Sequence, residues 1–266
     1  MDTSYWQKQT PDKPLFPDML WSRPENRQFA GKLLIIGGNL YGFAATGEAY
    51  TAAQRAGVGS AHVLLPDALH KLVGRTLENG EFAPSTPSGS FSQKALAEFL
   101  PRAAWADGVL VAGDLGRNSE TAILLEKFIA AYHGQLILTK DSIDYITASP
   151  QIILKRPETT LVLSFAQLQR MASQVKFSQP FTFSMDILRL VETLRAFTEL
   201  YPISIVTKHL DSIFVAYEGN TCSTRLTTDL DIWRVRAAAH VSVWLIQNPS
   251  RSFPALTTAI YDMLHA

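Results

Sequence analysis

Apolar residues in this chain fall into short continuous runs separated by longer stretches in which apolar and polar positions alternate at helical spacing. Leu33–Ile36, Ser60–Leu65, Gly108–Ala112, Gln135–Thr139, Thr160–Ser164 and Ile203–Thr207 are runs of the kind expected of strands covered on both faces. Between them, the pattern predicts helices over 44–56, Asp67–Leu77, Gln93–Trp105, Ser119–Ala131, Gln167–Ala172 and Met185–Leu200, and a helical turn over Ser142–Ala148. Phe82–Ser92 is rich in Pro, Ser and Gly and reads as a loop. Ser212–Tyr217 and Cys222–Leu226 flank Glu218-Gly219-Asn220 and predict a hairpin. Helices over Ile232–Gln247 and Ala255–Leu264 follow. The alternation predicts an α/β fold: a mostly parallel sheet flanked by helices, with a late antiparallel portion. Without an internal repeat or a linker, residues 31–266 are expected to form a single domain, and residues 1–30, rich in proline and polar groups, an arm lying over it.

The whole-chain balance narrows the function classes. Of 266 residues, 47% are apolar and 18% charged, enough to build a sizeable core. Lys plus Arg equals Asp plus Glu at 24 each, so no general field favours nucleic acid or an anionic membrane. No apolar run approaches the roughly 20 residues a membrane helix needs, and the N-terminus lacks an apolar signal core. Cys222 is the single cysteine, which excludes an internal disulfide and makes a reducing cytoplasm the expected compartment. It reads as a packing residue or as a reactive thiol. The six histidines are scattered without metal-ligand spacing, and His240 shares a predicted helix with Trp233 and Trp244, where packing explains it.

Candidate chemistry gathers where strands run into glycine turns. After Leu33–Ile36, Gly37 and Gly38 permit a sharp turn and a close backbone approach to a ligand, and Ala44, Ala45, Gly47, Ala49, Ala52 and Ala53 let the next helix pack close to the sheet. Gly57 and Gly59 end that helix. Asp107–Arg117 repeats the arrangement, with a strand entering Gly113-Asp114-Leu115-Gly116. Such turns lie at the carboxyl ends of strands, where open α/β sheets bind ligands. Neither G-x-G-x-x-G nor a Walker P-loop is present.

Gly31–Pro66 resembles the opening of the ADP/ATP-dependent NAD(P)H-hydrate dehydratases, a branch of the ribokinase-like superfamily. That family runs from a strand into GGS-x-G-x-[ST]-G-A, an alanine-rich helix, G-A-G and a second strand. Gly37, Gly38, Asn39 and Ala45 match the turn, and Gly57-Val58-Gly59 matches G-A-G; Tyr41 and Ala44 replace two of its glycines. Leu115 and Gly116 match D-A-x-x-I-G-P-G-L-G, with Asp114 in place of a glycine. Leu136–Ile143 resembles V-L-D-A-D-A-L; Asp141 falls on the second aspartate and Thr139 on the first. Asp141 could organise water or magnesium, or cap the following helix. Ile203–Ile213 resembles V-V-L-K-G-x-x-T-x-I, with Lys208 on the lysine associated with nucleotide and His209 in place of the glycine.

The resemblance implies a ribokinase-like three-layer sandwich that dehydrates NADHX or NADPHX with ADP or ATP and Mg2+, as a homo-oligomer. Gly38, Asn39, Ala45, Gly116 and Asp141 would bind substrate; Lys208, Arg225 and Thr228 would bind nucleotide; Asp229 or Asp231 would act as the base. Two departures count against it. The family's T-P-H-x-G-E histidine is absent, since Val162–Gln167 runs straight into a helix, and its glycine-rich anion loop is replaced by Gly219–Asp231, which has no glycine after the first. Asp229 and Asp231 could equally be helix-terminal charges, and Arg225 could take over phosphate contacts by bidentate bonding. A catalytically inactive nucleotide-binding or assembly protein and a small-molecule kinase of the same superfamily are the alternatives.

Overall fold

A computed structural model describes residues 4–73, 80–226 and 233–266. Its strands are β1 (Trp6–Gln9), β2 (Lys32–Gly37), β3 (Ser60–Pro66), β4 (Gly80–Ala83), β5 (Gly108–Gly113), β6 (Gln135–Thr139), β7 (Thr159–Ser164), β8 (Ile203–His209), β9 (Ser212–Tyr217) and β10 (Asn220–Arg225). The helices are α1 (Pro17–Leu20), α2 (Ala44–Arg55), α3 (His70–Val73), α4 (Leu96–Trp105), α5 (Ser119–Ala131), α6 (Asp141–Ile146), α7 (Gln151–Leu154), α8 (Phe165–Gln174), α9 (Ile187–Leu200), α10 (Trp233–Gln247) and α11 (Ser252–His265).

All ten strands join one sheet in the order β1-β10-β9-β8-β7-β6-β5-β2-β3-β4. Only β9 runs against its neighbours, β8 and β10; the remaining pairs are parallel. The predicted mostly parallel sheet with a late antiparallel hairpin is therefore what the chain forms.

Alternate residues of the central strands feed two cores. Leu34, Ile36, Val109 and Val111 face α4, α5 and the helices up to α9, meeting Phe99, Leu124, Phe128 and Leu190. Leu33, Ile35, Leu110 and Ala112 face α2, α10 and α11, meeting Ala49, Ala53, Val241 and Ile260. Fully buried strands need apolar side chains on both faces, which is why the runs are continuous rather than alternating.

The pattern missed the shortest elements. Trp6–Gln9 adds a polar edge strand, paired in parallel with β10. Gly80–Ala83 pairs with Val63–Pro66, so the first residues of the predicted loop are strand. Four residues at a sheet edge are too few to carry a period. The helix predicted over Asp67–Leu77 is a 3-10 turn, Asp67–Leu69, followed by α3; its last residues lie outside the described ones. Among the described residues, no helix is long and apolar enough to cross a membrane.

Candidate functional site

The order of strands reverses between β2 and β5. From β2 the chain moves outward through β3 and β4, then returns to β5 on the other side and proceeds through β6, β7 and β8. The turns after β2 and β5 therefore diverge, one into α2 on one face, the other into α5 on the opposite face. Such a switch point leaves a crevice beyond the strand ends. Here a cavity of about 740 Å3 opens at that place, lined by Asn39, Tyr41 and Gly42 from the first turn, Asp114 and Gly116 to Ser119 from the second, and Asp141, Asp144 and Tyr145 from α6.

Each wall is fixed by hydrogen bonds across the turns. Asn39 N–H donates to Gly42 O and Gly42 N–H to Asn39 O, closing a tight loop. The Asn39 side chain donates to Asp114 O at 2.6 Å and accepts from Tyr41 N–H at 2.8 Å. Tyr41 is thus held at the rim, 86% exposed. Tyr145 OH donates to Gly116 O at 2.6 Å and accepts from Asn118 N–H. Asn118 Oδ1 in turn caps α5 by accepting from Glu120 N–H. Gly116 has φ +79°, and a Cβ there would stand 2.6 Å from Ser90 Oγ, so this position requires glycine.

Two carboxylates organise the floor. Asp114 accepts from Ala45 N–H, at the start of α2, through Oδ2 at 2.8 Å, and its Oδ1 is ion-paired with Lys140. Asp114 and Lys140 both sit at positive φ, 56° and 55°, a cost for residues with a Cβ that the pairing offsets. Asp141 accepts from Leu115 N–H at 2.8 Å, while its Oδ1 is buried without a hydrogen bond. Burial raises the Asp141 pKa, opposed by the Leu115 amide and reinforced by the nearby Asp114 charge. The carboxyl is therefore biased toward holding a proton. Asp141 does not cap its helix: α6 begins after Lys140 with no side-chain cap, and the carboxylate reaches across to the β5 turn instead.

The expected site residues divide into groups. Asn39, Gly116 and Asp141 line the cavity together. Gly38 and Ala45 stand behind its wall, the first donating its N–H to Gly113 O, the second to Asp114. Lys208, next to last in β8, and Arg225, last in β10, lie further along the same carboxyl edge of the sheet. Neither lines the cavity. Arg225 is 79% exposed on its side chain and ion-paired with Asp211 at 2.9 Å. Thr228, Asp229 and Asp231 lie outside the described residues. Asp114, Lys140, Asn118 and Tyr145 were not anticipated. The one sequence signal for Asp114 was a charge in the middle of a glycine turn.

Elsewhere, His240 is buried with Nδ1 2.8 Å from Asp262 Oδ2, which also accepts from Trp244 Nε1, consistent with packing. Burial raises the Cys222 thiol to about 12, so it reads as inert. Among the described residues, no group of three His, Cys, Asp or Glu side chains could hold a metal ion.

No protein-family model matches the sequence, and no curated protein matches it. Solved structures do resemble it. A ribokinase-like superfamily protein from Enterococcus faecalis aligns over 98% of this chain and 87% of its own, with a TM-score of 0.71 and 15% identity. The ADP/ATP-dependent NAD(P)H-hydrate dehydratase of Bacillus subtilis, crystallised with ATP and Mg2+, aligns over 93% and 86%, with a TM-score of 0.62 and 13% identity. Bacillus subtilis pyridoxal kinase, as its ADP complex, aligns over 86% and 88%, with a TM-score of 0.57 and 8% identity. At such identities the likeness is one of architecture, and the chain has the ribokinase-like α/β fold.

Proposed function

We propose that this chain is a nucleotide-dependent enzyme acting on a hydrated nicotinamide cofactor, an NAD(P)H-hydrate dehydratase. One observation carries the reading: the turns whose residues match that family, Gly37–Ala45 and Leu115-Gly116, converge with Asp141 on one roomy cavity at the switch point of the sheet. The Bacillus subtilis dehydratase, with the same fold, supports it.

In this reading the terminal phosphoryl group of ATP or ADP passes to the added hydroxyl, converting a poor leaving group into phosphate. The C–O bond then breaks, phosphate departs with the bonding electrons, and the ring loses a proton to restore the reduced nicotinamide. Such transfer needs positioning and charge neutralisation more than covalent catalysis. Asn39, Gly116 and Asp141 would hold the substrate, Lys208 and Arg225 the nucleotide with Thr228, and Asp229 or Asp231 would take the hydroxyl proton. Magnesium would arrive with the nucleotide, bound chiefly through phosphate oxygens.

Incubation with NADHX, Mg2+ and either ATP or ADP tests the proposal by the appearance of NADH absorbance. Nucleotide-dependent NADH formation is expected; none with either nucleotide overturns it. The replacement of the glycine anion loop by Gly219–Asp231 favours, as second reading, a protein that binds these ligands without turning them over.

A further inference from the structure

We infer that Asp114 makes the inner end of the cavity reject phosphate and admit an uncharged, hydrogen-bonding group, so that the ligand binds with its neutral polar end inward and any anionic part toward the rim. The inference rests on reading this cavity as a small-molecule site, though not on dehydratase chemistry.

The start of α2 is the natural anion position here. Its first amides point out of a 12-residue helix at the switch point, and free helix N-termini attract phosphate. In this chain the position is already taken. Asp114 Oδ2 accepts from Ala45 N–H at 2.8 Å, and Lys140 neutralises the other oxygen. The Asp114 side chain keeps only 19% of its exposure. Both partners sit at positive φ. The backbone here favours glycine, yet aspartate occupies it; a side chain held under strain in a ligand-facing turn points to a selective role.

The charges around the cavity follow the same logic. Inside stand the Asp114 carboxylate, paired with Lys140, and Asp141, whose Oδ2 accepts from Leu115 N–H while its Oδ1 is buried against the Gly113 turn. A phosphate there would have to displace the Asp114 carboxylate from both the Ala45 amide and Lys140. The lining guanidinium groups lie at the exposed edge, Arg117 on the β5 turn and Arg170 on α8, the latter paired with Asp144 at 2.7 Å. A ligand with a neutral head and phosphate-bearing tail fits this polarity; one anchored by phosphate at its inner end does not.

Asp114→Gly tests the inference directly. Glycine adopts φ +56° without strain, so the fold should survive, and Lys140 loses its partner and becomes available to an anion. The Ala45 amide resonance is followed by NMR during titration with inorganic phosphate. In the wild type it should not move; in Asp114→Gly it should shift saturably, with phosphate affinity at least about tenfold higher. Asp114→Asn, which keeps an acceptor for the Ala45 amide but removes the charge, should gain part of that affinity. A phosphate response at Ala45 in the wild type, or none in both variants, overturns the inference. Failure of NADHX turnover would leave this result untouched, because probe and readout involve neither nucleotide nor cofactor.

Discussion

Replacing Gly37 by alanine is expected to destabilise the protein by about 3 kcal/mol and to open the joint between β2 and β5. The backbone at Gly37 suits any residue, so the cost is steric. An added Cβ would lie 2.5 Å from Gly113 O and 2.7 Å from Thr46 Cγ2. Neither can move freely. Gly113 O accepts from Gly38 N–H at 3.0 Å, and Thr46 is anchored by its hydroxyl to Phe43 O. The register explains the closeness: Ile36 faces Val111 but Gly37 faces Gly113, so Ala112 is the extra residue of a bulge. The bulge presses one backbone against the other where the two site turns diverge. Urea denaturation should show the loss, and ligand binding should weaken with it as the Asn39–Asp114 contact is pulled apart. A loss under about 1 kcal/mol would mean that the joint is looser than described.

The second large effect lies away from the cavity. Arg156→Ala should cost about 3 kcal/mol while leaving ligand affinity unchanged in the molecules that remain folded. Arg156 is only 8% exposed, and among the described residues it forms no ion pair. Its charge is spread over backbone oxygens instead: Nη2 donates to Tyr132 O and Gly134 O, Nη1 to Pro157 O and Glu158 O, and Nη1 also to Thr159 Oγ1 at 2.9 Å. One guanidinium thereby ties the segment entering β6 to the segment entering β7, at the amino edge of the sheet. Removing it takes the guanidinium donors from Tyr132 O and Gly134 O, while Glu158 O and Pro157 O keep Leu136 N–H and Thr159 Oγ1. Lysine would not rescue the loss, since a single ammonium cannot span both segments. Thermal or urea denaturation reads the effect, and a change under about 1 kcal/mol would contradict it. Paired with Gly37→Ala, this variant separates loss of fold from loss of site.

Much of the fold was legible because its strands are buried on both faces and therefore written as unbroken apolar runs. Ser119–Ala131 and Gln135–Thr139 match their predicted bounds. β1, with the sequence Trp-Gln-Lys-Gln, was not legible: an edge strand made largely of polar residues resembles a loop. The site was legible only in its local parts. Asn39, Gly116 and Asp141 stand at strand ends, and strand ends can be read from the pattern. Asp114 reaches Ala45 across 69 residues, and Asp141 reaches Leu115 across 26. Contacts of that span depend on which strands become neighbours, which no local pattern states. The same holds for the switch point: the sequence predicts parallel strands but not that β5 inserts beside β2.

Electron density after soaking crystals in ADP, Mg2+ and NADPH decides whether the turns at the switch point frame a ligand. Nicotinamide cofactor lodged between Asn39 and Asp141, its carboxamide deep and its phosphates near Arg117, is the expected view. Both compounds settling at other places, with water alone filling the crevice at saturating concentration, would refute the role given to it.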